Sequence, residues 1–190
     1  MDYLIIIISA IFINNIVLAK FLGICPFLGV SKNTSTAVGM GAAVIFVMTI
    51  ATIITYLVHH YLLIPFNIGY MQTVTYILVI AFLVQVVEII MKKVSPELYQ
   101  ALGVYLPLIT TNCAILGVAI LVIQQDFNLI KSVVFAVANG LGFMLAIIIF
   151  SSLREQLDTA DLPEYMQGVP AALITASILS MAFMGFAGLV

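Results

Sequence analysis

The chain has 190 residues, 64% hydrophobic and only 7% charged, with a formal net charge of −2 and a mean hydropathy of +1.28. A soluble domain carries about a quarter charged residues, so there is too little polar surface here to cover a globule in water, and the bilayer is the natural solvent. No basic patch exists to neutralise phosphates, which argues against nucleic acid, and two cysteines in so apolar a chain do not read as a disulfide framework.

A spanning helix needs about 20 mostly apolar residues. Six stretches qualify, at roughly 3–22, 37–62, 73–91, 99–123, 130–153 and 169–190. They are too long for strands and lack period-2 alternation, and in lipid the backbone must bond internally, which favours helix. The start, Met1-Asp2, lacks the positive segment of a cleavable signal peptide.

The first run carries Asn14-Asn15 deep inside it and Lys20 near its end, then reads Phe21-Leu-Gly-Ile-Cys-Pro-Phe-Leu-Gly-Val30, with two glycines and a proline around Cys25. Amides at such a depth usually join helices; ion binding is the alternative. The second run ends near His59-His60, an interfacial pair with no third metal ligand close in sequence. The third carries Gln85 and Glu88 on one face. An intramembrane carboxylate is a functional candidate, though Glu88 at a helix end is also placed to pair with Lys92 at i+4. The fourth contains Leu106-Pro-Leu-Ile-Thr-Thr-Asn-Cys113. Between the fifth and sixth lies the charged run from Arg154 to Glu164, which reads as a solvated loop or as a docking surface for a peripheral electron donor.

The six residues from Cys25 to Val30 return in altered form as Cys113 to Val118: each cysteine is followed by Leu, Gly and Val at the fourth to sixth places. These are the only cysteines, and the agreement reads as an internal repeat. Phe46-Val-Met48 has a counterpart in Phe143-Met-Leu145, Pro65 in Pro163, and Tyr70-Met-Gln72 in Tyr165-Met-Gln167. Repeat one therefore covers 1–93 and repeat two 94–190 of a single transmembrane domain. Three helices per repeat is an odd number, so the second copy must cross the membrane upside down, about a pseudo-two-fold axis in the membrane plane. The expected fold is all-α: six transmembrane helices in two inverted three-helix repeats, with helices one and four interrupted near the cysteines, because proline and glycine punctuate both segments. With both termini outside, the cytoplasmic loops hold Lys20, Lys32, Lys92, Lys93 and Arg154, against Lys131 alone on the other side.

Two thiols related by an in-plane axis share a site only near mid-depth. A free cysteine in a membrane helix is commonly a small inert hydrophobe, and two in register lower the weight of that reading. Zinc structural sites want four ligands, and an iron–sulfur cluster usually takes four thiolates. This chain supplies two, so a cluster needs two more from a second chain. No Gly-rich phosphate fingerprint and no nucleophile–His–acid set is present. The chain is expected to bind neither nicotinamide nor flavin.

The segments Asn14-Asn15, Lys20 to Lys32, Leu106 to Val118 and Leu173-Ile-Thr-Ala176 resemble the A-type membrane component of Rnf complexes, over essentially the whole chain. The E-type component of the sodium-pumping NADH:quinone oxidoreductase belongs to a similar sister family. The resemblance implies a membrane subunit of a translocase that passes electrons between ferredoxin and NAD, coupled to Na⁺ or H⁺ movement, in a bacterial or archaeal cell (inner) membrane. It implies one 2Fe–2S cluster shared with the homologous, opposite-topology E-type component of the same complex, with Cys25 and Cys113 as this chain's ligands, and the further B, C, D and G components as partners. Lys20, Pro26, Thr111 and Asn112 are then the expected cluster environment, and Asn14, Asn15, Gln85 and Glu88 a candidate ion path. The competing readings are a small inverted-repeat secondary transporter and a structural anchor, in both of which the cysteines are incidental.

Overall fold

The computed structural model describes residues 2–31, 33–66, 69–94, 106–159 and 163–188, and every regular element among them is helical. Helix α1 (Asp2–Ile8) widens into a π-helical turn, Ser9–Ile13, and then stops. The amide of Asn14 donates back to Ser9 O at 2.6 Å. The side-chain carbonyl of Asn15 accepts from the Val17 and Leu18 amides at 3.0 and 3.4 Å. A side chain that takes backbone donors in this way offers the chain an alternative to helix, so residues 14–23 remain irregular. Helix α2 (Ile24–Val30) then begins at Gly23, whose φ of +82° suits a residue without Cβ. Pro26 falls in its first turn, where the missing N–H costs no helical bond.

Helix α3 (Thr34–Val58) is prolonged by a π-helical turn, His59–Leu63, and by Ile64–Phe66. Helix α4 (Gln72–Val94) follows a 3₁₀ turn at Gly69–Met71. The second half opens with the short α5 (Leu106–Thr110), breaks at Thr111–Asn112, and resumes as α6 (Cys113–Gln124). Then come α7 (Leu129–Asp158), a 3₁₀ turn at Glu164–Met166, and α8 (Val169–Met184). The order of short helix, break, cysteine helix, long helix, 3₁₀ turn and closing helix therefore occurs twice. The matched Tyr-Met-Gln segments sit at the two 3₁₀ turns that lead into α4 and α8.

Among the described residues, four stretches are long and apolar enough to cross a membrane: Thr34–Phe66, Gly69–Ile90, Pro107–Gln124 and Leu129–Asp158. The first and sixth predicted runs are shorter as helices, at Tyr3–Ile13 and Val169–Met184. The first is cut by Asn14 and Asn15, and the sixth tightens into a 3₁₀ turn at Gly185–Gly188. Residues 99–105 of the fourth run, Lys32 and residues 189–190 lie outside the described residues; the expected repeat boundary, between 93 and 94, falls at the end of α4.

The core is the crossing of the two longest helices, which run antiparallel. The Thr34 hydroxyl at the start of α3 lies 3.4 Å from that of Ser151 near the end of α7. Deeper in, a Cβ at Gly41 would fall 2.7 Å from Met144 Cγ, and one at Gly140 would fall 2.9 Å from Ile45 Cγ1. The two contacts are reciprocal: each helix contributes a glycine and, four residues on, the side chain that covers the other's glycine. Small residues let membrane helices approach closely where no hydrophobic force drives them together. Met40, Val44, Met48, Phe143, Ile147 and Phe150 fill the space around the crossing. Phe46 and Phe143, matched in sequence, occupy opposite environments, exposed and fully buried. The glycine register instead pairs Ile45 with Met144. Helices α4 and α8 leave large apolar side chains such as Phe82, Ile89, Ile178 and Met181 exposed, as lipid- or partner-facing helices do.

Candidate functional site

The two cysteine segments come together. The Gly23 amide donates to Cys113 Sγ at 2.8 Å. A Cβ at Gly23 would meet Asn112 Oδ1 and Ala114 Cβ at 3.3 and 3.2 Å, so the turn before one cysteine packs on the turn before the other. The repeated Leu-Gly-Val has a packing reason. A Cβ at Gly29 would lie 3.1 Å from Leu108 Cδ1, and one at Gly117 would lie 2.6 Å from Leu22 Cδ1. Each repeat's glycine thus seats a leucine that precedes the other repeat's cysteine.

Both thiols sit in the first turn of a helix: Cys25 is the second residue of α2, and Cys113 opens α6. Amides at a helix start point outward without intrahelical partners and favour negative charge there. Asn112 caps α6, its Oδ1 accepting from the Ala114 amide at 3.0 Å. That leaves Asn112 Nδ2 buried and without a hydrogen-bond partner. An orphaned buried donor is costly and calls for a reason. It stands beside Cys113 in the wall of a cavity of about 300 Å³, which is also lined by Thr111, Leu116 and, from α4, Ile77, Ile80 and Ala81. Cys25 is exposed on the protein surface, Cys113 is partly buried, and neither is in a disulfide. Among the described residues no three His, Cys, Asp or Glu side chains cluster as metal ligands. A metal group that took both thiols would have to find further ligands beyond the described residues.

The remaining predicted residues divide. Pro26 is buried in the first turn of α2, and Thr111 is exposed, its hydroxyl donating to Pro107 O at 2.8 Å. Asn15 is fully buried and joins elements, its Nδ2 donating to Ile11 O at 3.0 Å and to Gly142 O of α7 at 2.9 Å. Asn14 and Lys20 are exposed and line a polar cleft of about 230 Å³ with Ser9, Gln125 and Asn139. Gln85 is exposed and Glu88 half-buried on α4, on a different element from that cleft. His59 Nδ1 and the Tyr76 hydroxyl share a hydrogen bond of 3.0 Å.

One expectation is corrected. Arg154 and Glu155 do not open a solvated loop: α7 continues to Asp158, and Arg154 is buried. Its Nη1 donates to Leu28 O and to Ser31 Oγ, each at 2.9 Å, while the Thr34 amide donates to Glu155 Oε1 at 3.0 Å. Acceptors at the end of α2 draw Arg154 inward, while Glu155 stays exposed and accepts from the amide that opens α3. A signal for this exists in the sequence: Arg154 is the only arginine in the chain, and guanidinium is the cation best suited to several fixed acceptors. Gly23, which along the chain reads only as punctuation, supplies the amide that reaches Cys113.

An all-helical frame among the described residues, with several helices apolar enough to cross a membrane and two thiols at neighbouring helix starts, defines a multi-pass membrane protein. The chain belongs to the Rnf-Nqr family of membrane-protein subunits, whose model matches residues 3–190. It is 57% identical over 189 residues to the A-type component of the Na⁺-translocating ferredoxin:NAD⁺ oxidoreductase complex of Acetobacterium woodii, covering 100% of this chain and 98% of that protein. It is 54% and 52% identical, with the same coverage, to the A-type components of the ion-translocating oxidoreductase complexes of Syntrophotalea carbinolica and Aeromonas salmonicida.

Proposed function

We propose that this chain is the A-type membrane component of an Rnf-type ion-translocating ferredoxin:NAD oxidoreductase, and that Cys25 and Cys113 contribute two of the four thiolates of a 2Fe–2S cluster shared with a homologous E-type chain of opposite topology. The observation that carries the reading is the convergence of both cysteine segments, with a Gly23 amide already on Cys113 Sγ and an unpartnered Asn112 Nδ2 beside it. A thiolate-bound cluster carries net negative charge, which is costly away from water unless donors meet it. Backbone and side-chain donors to the sulfurs are the usual way a protein offsets that cost. The residues therefore fit the group. What such a group supplies when bound is one-electron carriage partway across a hydrocarbon core of about 30 Å. The chain's own part is to hold two thiolates, keep donors aimed at them and present Cys25 on the surface where a partner would dock.

The inverted repeat belongs to the same proposal. It is supported by the doubled element order, the antiparallel α3–α7 pair and the reciprocal contacts at Gly41 and Gly140 and at Gly29 and Gly117. Six spans rest on the six apolar runs, and both termini outside on Lys32, Lys92 and Lys93 against Lys131. The B, C, D and G components complete the proposed assembly. Glu88 and Gln85, with Asn14 near the polar cleft, are the proposed ion-handling groups, for Na⁺ or H⁺.

The test is Cys25→Ser and Cys113→Ser in the whole complex, with EPR and ferredoxin-linked NAD reduction measured on the same membranes. Each variant is expected to assemble, to lose or strongly shift the cluster signal, and to lose the activity. Full activity in either would end this reading in favour of a transporter or anchor, where no signal depends on the two cysteines.

A further inference from the structure

Arg154 occupies a place that neither the repeat nor the cluster reading explains. It is buried in α7, four residues before that helix ends at Asp158. Its Nη1 holds two acceptors at the C-terminal end of α2, the carbonyl of Leu28 and the hydroxyl of Ser31. Its Nε has no partner. The acceptors are neutral, so the guanidinium charge is not cancelled by the groups it bonds.

Helix α2 is short. Cys25 and Leu28 lie three residues apart on it, about 4.5 Å along the axis. A helix of seven residues has little stability of its own, so its position depends on what grips it. It is preceded by Gly23 on Cys113 and packed through Gly29 on Leu108. The polar grip on its C-terminal end is Arg154. The next residue, Glu155, accepts from the Thr34 amide and so caps the helix that follows. Two adjacent residues of α7 thus hold both sides of the connection between α2 and α3. Each has the charge sign that suits its helix end, a cation at the C-terminus and an anion at the N-terminus.

The other half lacks this device. In the register set by Gly41 and Gly140, the α3 residue equivalent to Arg154 is Thr55. Its hydroxyl donates only within its own helix, to Ala51 O and Thr52 O. Helix α6 is longer, at 12 residues, and has its own N-cap in Asn112. The Cys113 side is therefore held by its own helix, and the Cys25 side by a charge borrowed from α7.

We infer that Arg154 is a positioning residue that fixes the Cys25 helix and, resting on the cluster reading above, raises the reduction potential of the bound group by holding a positive charge, bonded to neutral acceptors, at the far end of the short helix that carries one of its ligands. A reduced cluster is more negative than an oxidised one, so a nearby cation in a poorly screening interior favours reduction.

The test uses Arg154→Met, which removes charge and donors but keeps an apolar stem of similar length, and Arg154→Lys, which keeps the charge. Two readouts separate the claims. In the full chain expressed alone, the rate at which N-ethylmaleimide labels Cys25 reads the seating of α2 without any cluster. It should rise several-fold in Arg154→Met, while the Cys113 rate changes little. In the assembled complex, redox titration of the EPR signal should show a lower midpoint in Arg154→Met and recovery towards the parent value in Arg154→Lys. If Arg154→Met does not accumulate, Ser31→Ala, which removes one of the two acceptors, should still raise Cys25 labelling. Unchanged labelling in Arg154→Met, or in Ser31→Ala where it stands in, overturns the positioning role. Unchanged potential overturns the electrostatic one. Absence of any Cys25-dependent EPR signal in the parent complex would overturn the cluster reading and the electrostatic role with it, while the labelling result still decides the clamp.

Discussion

Replacing Gly23 by alanine probes the joint between the two halves at its tightest point. Gly23 stands at φ +82°, and holding an L-residue in a left-handed conformation costs about 1–2 kcal/mol. The new Cβ would lie 2.9 Å from Phe143 Cε2, 3.2 Å from Ala114 Cβ and 3.3 Å from Asn112 Oδ1. Phe143 is fully buried, so its ring has no solvent to turn into, and overpacking of this kind adds roughly 1–3 kcal/mol. The chain should lose about 2–5 kcal/mol, which for a domain of this size lowers the thermal midpoint by on the order of 10 °C. The Gly23 amide would also move off Cys113 Sγ. Unfolding of the purified chain in micelles, followed by circular dichroism, measures the first effect; the rate of Cys113 alkylation measures the second and should rise. Gly39→Ala is the control, because nothing lies within 4 Å of a Cβ there and the residue lies within a helix. It should be neutral or stabilise by up to about 1 kcal/mol. A Gly23→Ala protein that melts with Gly39→Ala and alkylates at the parent rate would refute the claim that this turn is the hinge of the site.

Asn112→Asp keeps the acceptor that caps α6 but replaces the orphaned donor with a carboxylate oxygen beside Cys113. The chain should fold, and the EPR midpoint potential of the complex should fall; an unchanged potential in a redox titration removes Asn112 from the cluster environment. Asn15→Ala strips the bonds to Ile11 O and Gly142 O and those accepted from the Val17 and Leu18 amides, and in-membrane bonds of this kind contribute about 0.6 kcal/mol each, with roughly 1.7 as the upper end. A loss of about 2 kcal/mol in chemical unfolding is expected from four such bonds, and parental stability would return Asn15 to the ion-path reading. Glu88→Gln should leave the EPR spectrum intact and reduce ion uptake coupled to electron flow, whereas parental uptake would leave Glu88 as a helix-end residue only.

Much of this protein is written in properties that act locally or that the solvent enforces. The lipid-like composition, the helical state of the long apolar runs and the breaks around Cys25 and Cys113 follow from backbone hydrogen bonding in a medium without water and from proline, glycine and asparagine at fixed places. The repeated Cys and Leu-Gly-Val pattern singles out both thiols for the same reason: identical local packing demands leave identical residues. What only the tertiary structure decided are relations between segments 79 or more residues apart in the chain. The Gly23 amide on Cys113, the leucine of each half seated on the other's glycine, and the register that pairs Ile45 with Met144 and not Phe46 with Phe143 depend on how the two halves are rotated together, which no local rule encodes. The same holds for Arg154. Read along the chain it is one charge at the head of a polar run; folded, it is turned inward, because the carbonyl of Leu28 and the hydroxyl of Ser31 end a short helix there and a guanidinium can satisfy both.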